Sequence, residues 1–182
     1  MIKVTNTPTY KPDELQQKVQ TLLGTQIAAE RAYRGDLTIE VHVGNLLRVV
    51  EALKENVELE MNMVISITAV HWPEEPLPYE LVYHMRSLTK NLFLVVKTRV
   101  GEDQMAPSLT SLYKTANWQE REVFDLFGVD FKGHPDQRRI LMWDEFEGHP
   151  MRKDFVEPFD YEWEPTPHDE ILEKHKKGKV IV

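Results

Sequence analysis

The sequence predicts an α+β fold: a two-layer sandwich with helices on one face of a largely antiparallel five-stranded sheet, followed by a long irregular C-terminal arm. Three observations point to it. Amphipathic helical segments and period-2 segments succeed each other in the order α-β-β-α-β-β-β over residues 11–100. The strand-to-strand connections are too short for a crossover, so those neighbours run antiparallel. Past residue 128 the periodicity stops while prolines, histidines and aromatics accumulate.

The first helix is expected over residues 11–23. Pro12 suits its first turn, where a missing N–H costs nothing, and Gly24 suits its end. Leu15, Val19, Leu22 and Leu23 share one face. Leu37, Ile39, Val41 and Val43 alternate with polar residues as in a half-buried strand. A weaker strand over residues 27–33 can pair with it through a turn around Gly35-Asp36. Leu46, Leu47, Val49, Val50 and Leu53 form the apolar stripe of a second helix over residues 46–56. Strands are then expected over residues 61–70, 79–88 and 91–100. The prolines at 73, 76 and 78 force a loop between the first two, and Thr89-Lys90-Asn91 forms the tight turn between the last two. A third helical region is expected to start at Ser108, with Leu109, Leu112, Tyr113 and Ala116 on one face. Residues 118–127 continue it or form a second short helix, stopped by Gly128.

Residues 1–128 are therefore expected to form the α+β domain and residues 129–182 an interaction arm. An irregular stretch of that length is too long for an internal loop. Its aromatics (Phe131, Trp143, Phe146, Phe155, Phe159, Tyr161, Trp163) argue against simple disorder and suit an interface.

Composition narrows the function. The 182 residues carry 22 Lys+Arg against 30 Asp+Glu, a net charge of −8, which disfavours a nucleic-acid partner. Residues 1–116 hold 12 basic and 14 acidic side chains, and residues 117–182 hold 10 and 16. The absence of cysteine excludes a disulfide framework, a thiolate zinc site, a cysteine nucleophile and a self-ligated iron–sulfur cluster. The longest unbroken apolar run, residues 92–96, falls far short of the ~20 residues that span a bilayer. The N-terminal stretch has neither the apolar core of a secretory signal nor the Arg-rich character of a transit peptide, so a cytoplasmic chain is expected.

The densest polar cluster is Glu120-Arg121-Glu122-Val123-Phe124-Asp125. On a helix Arg121 and Asp125 are i,i+4 neighbours able to pair, with Glu122 turned away. A carboxylate pair for acid/base work or metal binding is one reading; a charge network fixing the helix against neighbouring chain is the favoured one, since no nucleophile or second base lies nearby. His134, His149, His168 and His175 match no zinc-ligand spacing, and His134-Pro135 and His149-Pro150 read as turns. Arg138, Arg139, Arg152 and Lys153 are basic islands in an acidic arm, suited to ion pairs with the arm's own acids or a partner. No Gly-rich phosphate loop, dinucleotide-binding turn or nucleophile elbow occurs.

Three linked segments carry a resemblance: residues 117–128, containing Glu120-Arg121-Glu122 and Asp125 and ending at Gly128; Gly133-His134-Pro135-Asp136 with Arg138-Arg139-Ile140-Leu141; and Glu147-Gly148-His149-Pro150-Met151-Arg152-Lys153-Asp154-Phe155. In order and spacing they resemble the 30 kDa subunit of respiratory complex I, whose bacterial form is the C subunit of NADH-quinone oxidoreductase. Gln137 stands where that family usually has an aliphatic residue, and residues 142–146 are a variant of a loop that often carries proline.

The resemblance implies a peripheral-arm subunit of a proton-translocating NADH:quinone oxidoreductase, without a cofactor of its own and not catalytic alone. Electrons would pass from NADH through FMN and Fe–S clusters in other subunits to quinone. It implies packing on the 49 kDa-type (D) subunit, with the B and I subunits among the neighbours, on the cytoplasmic side of the bacterial inner membrane. The motif residues, Gly148 and Asp154 included, would brace the arm and set its turns and partner contacts. The equivalent subunit of a membrane-bound hydrogenase or other energy-converting complex is the main alternative. A stand-alone metal-dependent hydrolase and an unrelated binding adaptor are more distant ones.

Overall fold

A computed structural model describes residues 8–156. Helix α1 (Pro12–Leu23) begins with Pro12 in its first turn, and the Glu14 carboxylate accepts the Lys11 backbone N–H. Leu15, Val19 and Leu23 are its buried side chains. Strands β1 (Ile27–Tyr33) and β2 (Asp36–Val41) form an antiparallel hairpin. Arg34 and Gly35 both take positive φ, 52° and 93°, the turn geometry that matches the right-handed twist of paired strands. A single helical turn, Val43–Asn45, leads into α2 (Leu46–Glu55), which buries Leu46, Val49, Val50 and Leu53.

Strands β3 (Met63–His71), β4 (Tyr79–Ser87) and β5 (Leu92–Val100) follow as an antiparallel meander. The sheet order is β1-β2-β5-β4-β3, so the chain returns after β4 to lay β5 parallel to β2, with Leu37 opposite Leu94 and Ile39 opposite Val96. This one parallel join is possible because α2, β3 and β4 together supply the crossover. Period-2 alternation sends Leu37, Ile39, Leu81, Tyr83, Met85, Leu94 and Val96 to the helix-covered face, where they meet α1 and α2 in one core. On the opposite face Glu80 binds Lys97 at 2.8 Å and Arg99 at 3.2 Å, laying their long stems over the sheet. The fold class read from the sequence is the one observed.

The helix expected from Ser108 is absent. A short strand, β6 (Ala106–Pro107), precedes a run of turns, and the helix, α3 (Ala116–Phe127), starts only at Ala116. Ser108 N–H bonds to Lys132 O, and Leu109 N–H bonds to the Glu120 carboxylate, so external acceptors take the donors that open this stretch. Residues 108–115 form turns instead, bridged by the Tyr113 N–H to Leu109 O. Gly128 ends α3 in the left-handed conformation (φ 78°), returning its N–H to Phe124 O.

After Gly128 the chain adds one short strand, β7 (Phe131–Lys132), parallel to β6, and then runs in turns to residue 156. The arm's remainder, residues 157–182 with Phe159, Tyr161, Trp163, His168 and His175, lies outside the described residues, as do residues 1–7. No helix among the described residues is long and apolar enough to cross a membrane.

Candidate functional site

Helix α3 organises the site because its successive charged residues face different neighbours. Glu120 is fully buried and turns toward the preceding chain, accepting the Ser108 hydroxyl and the Leu109 N–H, both at 2.7 Å. Burial pushes its carboxyl up to about 7 against the pull of those two donors. Glu122 stays exposed.

Arg121 does not pair with Asp125 as the i,i+4 spacing suggested. Its guanidinium donates to the carbonyls of Arg138 and Arg139, each at 3.0 Å, and lies 5.1 Å from the Trp118 ring centroid. Asp125 has other partners. One oxygen accepts Arg139 Nη1 at 2.7 Å; the other accepts the backbone N–H groups of Ile140, Leu141 and Met142 at 3.0, 2.7 and 2.9 Å. Burial alone would raise its carboxyl, but the amides of Met142, Ile140 and Leu141 together with Arg139 outweigh it and hold the group below its ordinary value. The competition follows from capacity: three convergent amides and a guanidinium from one loop saturate the carboxylate, and Arg121 is left to two carbonyls of that same loop.

Arg139 extends the network outward. Its Nη2 donates to Phe146 O and Gly148 O, both at 2.9 Å, holding the following loop against the helix end. His149 faces the Asp125 carbonyl with Nδ1 at 2.9 Å, a bond that requires the proton on Nδ1. Its ring packs on Gly128 so closely that a Cβ there would lie 2.6 Å from Cδ2. His134 bridges Asn117 O through Nε2 at 3.1 Å and accepts the Asp136 N–H on Nδ1 at 3.1 Å, closing the turn that Pro135 begins. Arg138 forks onto Asp136 at 2.8 Å in solvent. Gln137, the departure noted in the sequence, accepts Phe131 N–H at 3.0 Å and donates to Asp130 at 2.9 Å, tying the start of β7 to the following turn.

The third motif segment is fastened elsewhere. Arg152 bridges Asp154 at 3.0 Å and Glu102 at 3.2 Å, while the Tyr79 hydroxyl donates to Glu102 at 2.9 Å. Lys153 gives its backbone N–H to the Nδ1 of buried His71 at 3.0 Å and sets its ammonium 4.7 Å from the Trp72 ring centroid. Gly148, at φ 86°, turns the chain beside the Phe155 ring, and Pro150 follows His149. His71, Tyr79 and Glu102 were not singled out from the sequence. Only the pairing of His71 with Tyr79 across β3 and β4 brings the first two together.

The three motif segments thus converge on α3 and one end of the sheet, where Arg121, Asp125, Arg139, His134 and His149 bind main-chain atoms. Among the described residues no group of three or more His, Asp or Glu side chains is placed to hold a metal ion. The shallow cavity lined by His149, Arg152 and Asp154 holds no serine, threonine, cysteine or lysine side chain.

The family model described as respiratory-chain NADH dehydrogenase, 30 Kd subunit, matches residues 39–160, from β2 through all three motif segments. The chain belongs to this family. The family assignment drawn from the motif segments therefore stands. The NADH-quinone oxidoreductase C subunit of Rhodobacter capsulatus is 43% identical over 132 residues, covering 72% of this chain and 66% of that protein. The corresponding subunit of Cereibacter sphaeroides (strain ATCC 17029 / ATH 2.4.9) is 41% identical over 142 residues, covering 78% and 71%. The matched part thus spans about two thirds of these family members' own length. Among solved structures, a chain of the membrane-bound sulfane sulfur reductase, an archaeal respiratory membrane complex, superposes with a TM-score of 0.67 at 27% identity, covering 93% of this chain and 92% of that one.

Proposed function

We propose that this chain is a non-redox, structural and assembly subunit of the peripheral arm of a proton-translocating NADH:quinone oxidoreductase. The observation that carries the reading is how the motif charges are used. Asp125, Arg121, Arg139, His134 and His149 each bind main-chain atoms of a neighbouring stretch of this same chain. Such residues fix a shape; even His149, which also lines the shallow cavity, is tied through Nδ1 to the Asp125 carbonyl. In this reading the arm, residues 129–182, packs on the 49 kDa-type subunit, with the B and I subunits beside it. FMN and Fe–S clusters in the other subunits carry electrons from NADH to quinone. The chain reaches the cytoplasmic face of the bacterial inner membrane only through the complex.

Arg121→Ala tests the bracing role. Removing a part-buried cation that holds two carbonyls loosens residues 138–139, so less intact complex accumulates on a native gel while the assembled fraction keeps its turnover. Full assembly with slowed quinone reduction contradicts the proposal.

The likeness to a chain of the sulfane sulfur reductase complex over nearly the whole length favours one second reading, the equivalent subunit of a related respiratory membrane complex such as a membrane-bound hydrogenase. NADH oxidation by the co-purified complex separates the two.

A further inference from the structure

Glu120 is a buried acid that the bracing network does not use. It sits in α3 with no solvent exposure, and none of the ion pairs among the described residues includes it. Its Oε2 lies 2.7 Å from Ser108 Oγ, and Ser108 Oγ lies 2.8 Å from Thr110 Oγ1. Thr110 is half-buried, so this line of oxygens leads from the interior to the surface. We propose that Glu120, Ser108 and Thr110 form a proton-exchange site, in which Glu120 binds and releases one proton through the two hydroxyls without the domain opening.

Hydrogen-bonding capacity permits both states. In the protonated state the Glu120 Oε2–H donates to Ser108 Oγ, and the Ser108 hydroxyl donates to Thr110 Oγ1. In the ionised state both donors reverse: Thr110 O–H donates to Ser108, and Ser108 O–H donates to the carboxylate. Ser108 Oγ also accepts the Thr110 N–H at 3.2 Å in either state, so it never exceeds one donor and two acceptors. On release, Glu120 gives its proton to Ser108 Oγ as Ser108 passes its own to Thr110 and Thr110 passes its own to water. One O–H bond is lost at the carboxyl and one forms in water, leaving a carboxylate. The Leu109 N–H on Oε1 serves both states as a fixed donor.

The surrounding groups do not neutralise the carboxylate. On β4 the Tyr83 hydroxyl is buried without a hydrogen-bond partner in the structure; burial first, then the Glu120 charge, push it up, so it stays a phenol. Tyr113 donates its hydroxyl to Met61 O, and Lys54 of α2 donates its ammonium to Leu112 O. His71, at the far end of β3, accepts the Lys153 amide. Arg121, the next residue, faces the carbonyls of Arg138 and Arg139. Burial accordingly leaves the acid titrating at about 7, within the range where a cell's pH sets its occupancy.

The test is difference infrared spectroscopy of the full chain with carbonyl-labelled glutamate, across a pH titration. The expected result is a protonated-carboxylic band that disappears reversibly with a midpoint near 7 and is missing in Glu120→Gln. Ser108→Ala removes a donor to the ionised form, so its midpoint moves to higher pH; this variant keeps the test intact if Glu120→Gln does not fold. The proposal is overturned if no labelled band titrates near neutrality, if the band persists in Glu120→Gln, or if Ser108→Ala leaves the midpoint in place.

Discussion

Asp125 and Arg139 meet at 2.7 Å across fourteen residues of chain, with the carboxylate fully buried and the guanidinium holding two further carbonyls. This pair joins the end of α3 to both loops that follow. Replacing Asp125 by Asn leaves Arg139 without its counter-charge in a part-buried site, a loss of ~3–5 kcal/mol by the cost of breaking such a pair from one side. Urea unfolding of the two chains at neutral pH measures it. The pH dependence has a defined sign. The folded carboxyl titrates below its unfolded value of 3.8, so its contribution is complete above that value and disappears as pH falls through the folded one. The stability gap between wild type and Asp125→Asn therefore closes in strong acid.

Gly128→Ala is expected to be costly for two separable reasons. A side chain at φ 78° costs about 1–2 kcal/mol, and the new Cβ would meet the His149 ring at 2.6 Å. A double-mutant cycle with His149→Ala isolates the second part. Gly128→Ala should destabilise the His149→Ala background less than it destabilises wild type. Equal costs in both backgrounds would show that His149 does not pack there.

How much of this was legible beforehand depends on how local each cause is. The stripes of α1 and α2 and the alternation of β2 declare themselves, because burial of one face repeats within a few residues. The parallel β2–β5 join and the turns at 108–115 do not. They depend on what lies across the sheet and on a carboxylate eleven residues ahead of Leu109. The same distinction divides the site. The motif residues are recognisable as a set, yet the partner of Asp125 proved to be Arg139 rather than Arg121, because helical spacing says who can meet, not which loop arrives first. His71, Tyr79 and Glu102 carry no sequence signal, since their role exists only once Arg152 and Lys153 fold back onto the end of the sheet.

Leu141 and Met151 sit on the two braced loops with 57% and 56% of their surface exposed. If these loops present the chain to a partner subunit, Leu141→Ser with Met151→Ser leaves the stability of the free chain within about 0.5 kcal/mol, as surface changes usually do. The same change lowers incorporation into the complex, because each apolar side chain a partner covers contributes by leaving water. Thermal unfolding of the free chain and native-gel incorporation read the two effects separately. Unchanged incorporation would remove these loops from the interface.

A non-redox member of an NADH-oxidising respiratory complex must be recovered together with that complex. The most direct measurement is recovery of a tagged copy from native membranes in mild detergent, with the co-purifying subunits identified and NADH-dependent quinone reduction assayed. The expected recovery contains flavin- and iron–sulfur-bearing subunits and shows NADH-driven quinone reduction. A lone protein carrying stoichiometric metal, or a complex that leaves NADH untouched, would contradict it.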